Sequence, residues 1–171
     1  MAPTVVPVLS PDTYFRYTAA IGISQPRLEN RATNAMPQMF ADRFGWPEMV
    51  GTVAQVYHSL PPDVRARTGI FANDFGQGGA IDFYGPRYGL PKAIGGHLAY
   101  WYWGPRGYTG ESLIVLGDDR ESAARWFEDV REVATVGHPY AMRQEHFSVL
   151  LCSRPRGFTL AEVWPRLKNW H

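Results

Sequence analysis

The segment over residues 68–103, TGIFANDFGQGGAIDFYGPRYGLPKAIGGHLAYWYW, constrains the fold more than any other part of the chain. It opens with a short apolar run, Gly69-Ile70-Phe71-Ala72, which reads as a buried strand. The run breaks at Asn73-Asp74 and passes a glycine-rich turn into a helix predicted over 77–84. Gly85-Pro86 stops that helix, because proline cannot continue its hydrogen-bond ladder. A second extended piece over 92–94 ends at Gly95-Gly96-His97, and an aromatic run follows. Strand, polar loop, helix, strand and polar loop make up the rhythm of an open α/β sheet. In such sheets ligands bind beyond the carboxyl ends of the strands. The clearest buried strand, Ser-Leu-Ile-Val-Leu over 112–116, ends in the same way at Gly117-Asp118-Asp119. The fold predicted is a single three-layer Rossmann-like α/β domain with a mainly parallel sheet and one antiparallel edge strand.

The remaining elements follow from local signals. Ser10-Pro11-Asp12 starts a helix that runs to about Ile21 and stops at Gly22. Residues 24–38 read as a long polar loop. Apolar residues at helical spacing from Met49 to Leu60 predict the strongest helix, ended by Pro61-Pro62. A helix is expected over 120–129, a strand over 130–136 and a last strand over 147–152, the last two antiparallel. Thr159 and Glu162 form a capping-box pattern before a short final helix that Pro165 shortens.

Bulk properties exclude several classes. At 171 residues, with 45% hydrophobic and 19% charged content, the chain is long enough for one real core and is not disordered. A formal net charge of +1 offers no field for nucleic acid. Cys152 is the only cysteine, so neither an intrachain disulfide nor a thiolate zinc site can form, and a buried inert thiol is expected. No run approaches the length of a membrane helix, and the first ten residues lack the basic start of a signal peptide. The aromatic content of 14% fits either an aromatic core or a surface that stacks on sugar rings.

If the strands are parallel neighbours, their polar ends meet at one sheet edge. Asn73, Asp74, Gln77, His97 and Asp118, with Tyr100 and Trp103 as walls, would then line a site for a carbohydrate or a polar lipid head. Each residue also has a plainer role: Asn73 and Asp118 can cap the helices that follow them. Asp118-Asp119 could hold a metal or simply begin a helix, and His97 with Asp74 could act as an acid–base pair. The Gly76-Gln77-Gly78-Gly79 turn matches neither phosphate-binding glycine motif, and no Gly-x-Ser-x-Gly elbow is present.

Several runs, in order, carry a family resemblance: FADRFGW (40–46), VYHSLP (56–61), GAIDFYGPRYGLP (79–91), Gly96-His97, WGPRG (103–107), VLGD (115–118), HPY (138–140) and WPRLK (164–168). Together they resemble the C-terminal soluble region of bacterial membrane glycosyltransferases of the dolichyl-phosphate-mannose protein mannosyltransferase-like group, glycosyltransferase family 39. The resemblance implies a membrane catalytic region ahead of this one, with residues 1–10 as the lead-in from it and 11–171 as one α/β domain. It implies a polyprenyl-phosphate sugar donor, an acceptor, a position on the extracytoplasmic face, and a divalent metal in some branches of the full enzymes. The family's catalytic acid lies in the membrane part, so no catalytic residue and no cofactor carries over to this chain. The rival expectations are a free-standing carbohydrate-active enzyme using Asp74, His97 and Asp118, and an interaction module docking through Trp101, Tyr102 and Trp103.

Overall fold

The computed structural model of the chain describes residues 6, 8–23 and 36–170. Two apolar runs set its centre. Strands β1 (Thr68–Ala72) and β2 (Ser112–Leu116) lie side by side and parallel, with Ile70 opposite Ile114 and Ala72 opposite Leu116. Every residue of β2 is buried, which is why its sequence is a continuous apolar run and not an alternating one. At the start of the pair the Thr68 and Ser112 hydroxyls bond to each other at 2.8 Å, so neither is buried unsatisfied. On the outer side of β1 the extended segment 92–94 adds a short parallel bridge. Ile94 N–H donates to Ile70 O at 2.9 Å, and Ala72 N–H donates to Ile94 O at 2.8 Å.

Beyond these parallel segments the expectation of a mainly parallel, Rossmann-like sheet is overturned. Strands β3 (Phe127–Val136) and β4 (Phe147–Pro155) form an antiparallel pair, and β4 also docks antiparallel on β2. The result is a mixed four-stranded sheet of order β1-β2-β4-β3, in which only the β1–β2 ladder is parallel.

The cause lies in segment 120–129, which does not make a crossover helix. Its helix ends at Ala124. Trp126 and Phe127 then turn inward against Phe158, with ring centroids 5.5 and 5.7 Å away. The chain is committed to a strand from Phe127. With no long crossover to carry it back, its partner strand returns antiparallel. A bulge between Glu132 and Ala134 shifts the register midway, so buried positions in β3 do not alternate cleanly.

Helices α1 (Pro11–Ala20), α2 (Gln38–Ala41), α3 (Trp46–Ser59), α4 (Pro62–Arg67) and α5 (Phe75–Tyr84) precede β2, as does the single turn α6 (Ala99–Tyr102). Helices α7 (Arg120–Ala124) and α8 (Leu160–Val163) follow it. The prolines that end α3 also open α4, which sequence reading does not anticipate. Pro62 suits a first helical turn because its missing N–H would have no helical partner there. The lead-in and the 24–38 loop lie largely outside the described residues.

One face of the sheet packs Ile70, Ile114, Leu116 and Val149 against Met49, Val50 and Val53 of α3 and Ile81 of α5. The other face packs Leu113, Val115, Leu150 and Cys152 against Leu160, Val163 and Trp164. Burial pushes the Cys152 thiol up to about 12. A third cluster joins Tyr14 of α1 to Phe40 and Met142.

Candidate functional site

The turn from β1 into α5 is a complete capping box. Asp74 Oδ1 accepts from Gly76 N–H at 2.7 Å, and Gln77 Oε1 accepts from Asp74 N–H at 3.3 Å. The cap is therefore Asp74 and not Asn73, and α5 begins at Phe75, two residues before the predicted start. Gln77 is only 3% exposed. Its amide occupies the space a Cβ at position 117 would need, and Gly117 holds φ at +73°, so both sterics and backbone demand glycine there. Asn73 Nδ2 donates to Gly117 O at 3.1 Å and ties the end of β1 to the end of β2.

His97 closes the same corner at 6% exposure. Its Nδ1 lies 3.2 Å from Asp74 Oδ2 and 3.2 Å from the Phe75 N–H. One nitrogen cannot serve both. Without a proton it accepts from Phe75; with one it donates to Asp74. The next residue, Leu98, holds φ at +50°, a conformation that favours glycine and costs about 1–3 kcal/mol for other residues.

The C-terminal segment holds this corner from outside. Leu98 N–H donates to Asn169 O at 3.1 Å, and Asn169 N–H donates to Gly96 O at 3.0 Å. The approach is so close that a Cβ on Gly96 would strike the Leu167 carbonyl oxygen, and one on Gly95 the Ala72 carbonyl oxygen. A groove of ≈ 840 Å³ results, floored by Asn73, Asp74, Gln77 and His97. Trp46, Phe75 and Trp170 line it as aromatics, with Asp42 and Gln144 among the polar residues.

Sequence reading names the floor but misses Asp42, Trp46, Gln144 and Trp170. Trp46 stands in the FADRFGW run, and the Gly95-Gly96 pair is the one local hint that another backbone must pass close by.

Asp118, Tyr100 and Trp103 do not line this groove. Asp118 lines a separate slot on the Leu113–Val115 side of the sheet, and burial raises its carboxyl above the ordinary 3.8. The cap of α7 is its neighbour Asp119, which accepts from Ser122 N–H at 2.8 Å and Ser122 Oγ at 3.0 Å; these bonds hold its carboxyl low. Ser122 thus engages both Asp119 oxygens. Among the described residues, no group of three or more His, Cys, Asp or Glu is placed to hold a metal ion.

Tyr100 lies beneath α5, where Gly78 leaves room for its ring, and hydrogen-bonds Asp82; its phenol is pushed far up, chiefly by burial. Trp103 is 53% exposed, edge-on to Tyr100 at 4.7 Å, with Arg106 over its ring at 5.5 Å. Trp101 is half-buried. Its indole N–H donates to Trp164 O, and its backbone carbonyl accepts the reciprocal bond from the Trp164 indole N–H, each at 2.9 Å.

Comparison with protein families, with characterised proteins and with solved structures finds no significant match to this chain. No helix among the described residues is long and apolar enough to cross a membrane.

Proposed function

We propose that this chain is the extracytoplasmic domain of a membrane glycosyltransferase that uses a polyprenyl-phosphate-linked sugar. In this reading the domain is non-catalytic by itself and binds an acceptor or sugar in the groove. The setting comes from the sequence resemblance; the binding role comes from the groove. One observation carries it: runs that bear the resemblance, far apart in sequence, converge on a single cleft, with Asp42 and Trp46 from one, His97 from another and Gly117 from a third. The lining joins amide and carboxylate groups to exposed aromatic faces, the combination that binds hydroxyls and stacks on sugar rings.

The floor residues also argue for binding over turnover. Asp74 and Gln77 cap a helix, His97 is engaged with that same turn, and Asp118 lies in another cavity. The enzyme reading needs Asp74, His97 and Asp118 in one site.

The test is a ¹⁵N amide titration of the chain with mannose, N-acetylglucosamine and a short-chain prenyl-phosphate mannose, run beside hydrolysis assays on nitrophenyl glycosides. Shifts confined to residues 73–77, 97–98 and 170, weakened by Trp46→Ala and without turnover, are expected. Turnover abolished by His97→Ala would replace this reading with the free-standing enzyme. No perturbation by any probe would remove the groove as a sugar site.

A further inference from the structure

The aromatic run after His97 leaves a face that the groove does not use. On the single turn α6, Tyr100 lies under α5 and Trp101 is half-buried against Trp164. Tyr102 and the next residue, Trp103, are turned to solvent, 63% and 53% exposed. The C-terminal segment meets Tyr102 there: the Trp170 ring, also 53% exposed, stands edge-on to it with centroids 6.5 Å apart.

Two cations sit on these rings. Lys168 Nζ lies 4.3 Å from the Trp101 centroid, 4.9 Å from that of Tyr102 and 4.8 Å from that of Trp170, and it donates to the Tyr102 hydroxyl at 3.3 Å. The Arg106 guanidinium carbon is 5.5 Å from the Trp103 centroid, while its Nε donates to Ala93 O at 3.1 Å. Among the described residues neither cation has a carboxylate within ion-pair reach. The indole donors that bond within the protein are those of Trp46, Trp101 and Trp164; among the described residues the Trp103 and Trp170 N–H groups make no such bond.

Each exposed indole thus pairs an apolar body with a free donor at its edge and an uncompensated cation beside it. A dry protein contact would strand those donors and charges. The headgroup zone of a bilayer satisfies all three: rings rest at the interface, their N–H groups find lipid oxygens, and anionic lipid attracts the cations.

We propose that the face formed by Tyr102, Trp103 and Trp170 docks on a bilayer that contains anionic lipid, with Lys168 and Arg106 beside the lipid phosphates. The face adjoins the groove through Trp170, so docking holds the groove close to the membrane surface. This inference does not rest on the groove's ligand or on the family resemblance. Tyr102, Trp103, Lys168 and Arg106 lie outside the groove lining, so sugar binding and lipid binding can fail separately.

The probes are vesicles of phosphatidylcholine alone and of seven parts phosphatidylcholine to three of phosphatidylglycerol, read by co-sedimentation. Tighter binding to the anionic vesicles is expected, fading in high salt. In bicelles of the same anionic mixture with a nitroxide at headgroup depth, the Trp103 and Trp170 indole signals should broaden and that of Trp126 stay sharp. Tyr102→Ser with Trp103→Ser should remove binding to both vesicles and leave the sugar titration of the groove unchanged. Lys168→Gln and Arg106→Gln should each lower affinity for the anionic vesicles about fivefold without changing that for phosphatidylcholine. Tyr102→Trp enlarges the interfacial ring and should tighten binding, a gain that misfolding cannot mimic. Equal affinity for the two vesicles, affinity unmoved by the double variant, or broadening at Trp126 in place of Trp103 and Trp170 would each overturn the proposal. So would a dimer in sedimentation velocity that the double variant disperses, because a second copy of the chain would then cover this face.

Discussion

The turns that leave β1 and β2 begin alike and end differently. Each follows a parallel strand, and in each an aspartate caps a helix, Asp74 through Gly76 N–H and Asp119 through Ser122 N–H. The first helix runs for 10 residues and the second for 5. What lies beneath them differs. Helix α5 buries Gln77, Gly78, Ala80 and Ile81, whereas α7 buries only Ala123. After α7, Trp126 and Phe127 gain more by packing on Phe158 than by extending an exposed helix. A cap fixes where a helix begins; packing along its face decides how far it runs.

The sharpest way to break this comparison is to remove packing from each helix in turn. Ile81→Ala should cost about 2–5 kcal/mol in denaturant melts, whereas Ala123→Gly should cost about 0.5–1 kcal/mol. Equal losses would mean that packing does not separate the two turns.

Adjacent glycines of α5 give the next test. A Cβ on Gly78 would sit 2.7 Å from the Tyr100 ring, and one on Gly79 would meet nothing within 4 Å. Gly78→Ala should lose about 1–3 kcal/mol to overpacking, more than the roughly 0.5–1 kcal/mol that alanine gains in a helix. Gly79→Ala should show that gain alone, as a higher melting temperature.

Asp74→Ala should lose about 0.5–2 kcal/mol as a cap is removed, and the amide signals of Gly76 and Phe75 should broaden or shift.

The smallest effect is in titration. Burial raises the Asp118 carboxyl, and Ser122 hydrogen bonds lower that of Asp119. Asp118 therefore contributes stability that is complete below its unfolded value and lost as pH rises through its raised folded value. Asp119 contributes stability that is present above its unfolded value and lost as pH falls through its lowered folded value. Carbon-detected titration should place these neighbours on opposite sides of 3.8, the ordinary aspartate value. Similar midpoints would erase the contrast between the turns.

How much of this was legible depends on how local each signal was. The parallel pair was legible because Gly69-Ile70-Phe71-Ala72 and the run from Ser112 to Leu116 are short, apolar and bounded by turn residues. The antiparallel pair was legible in part, as strands over 130–136 and 147–152, but neither the start of β3 at Phe127 nor the docking of β4 on β2 was. The Ala123-Ala124-Trp126-Phe127 pattern imitates a helix face, which carried the expected helix to 129 and hid the first residues of β3. The floor of the groove was legible because strand ends collect polar loops. Its caps were misplaced by one residue, from Asp74 to Asn73 and from Asp119 to Asp118, since either neighbour has a capping side chain. Tyr100 and Trp103 were assigned to the groove by adjacency in sequence, but the single turn α6 directs Tyr100 under α5. The outer wall was illegible because Trp170 arrives through backbone pairing with residues far back in the chain.

That late arrival bears on when the groove comes into being. During synthesis, β1, α5 and the Gly95-Gly96-His97 bend emerge long before residue 169, and until it appears Leu98 N–H has no Asn169 carbonyl to meet. The floor can assemble early; the wall waits for contacts of long sequence separation, with slow closure. A nascent chain that has not yet reached residue 169 therefore carries an unfinished groove, and the arrival of the 167–170 segment is itself the event that makes the site whole.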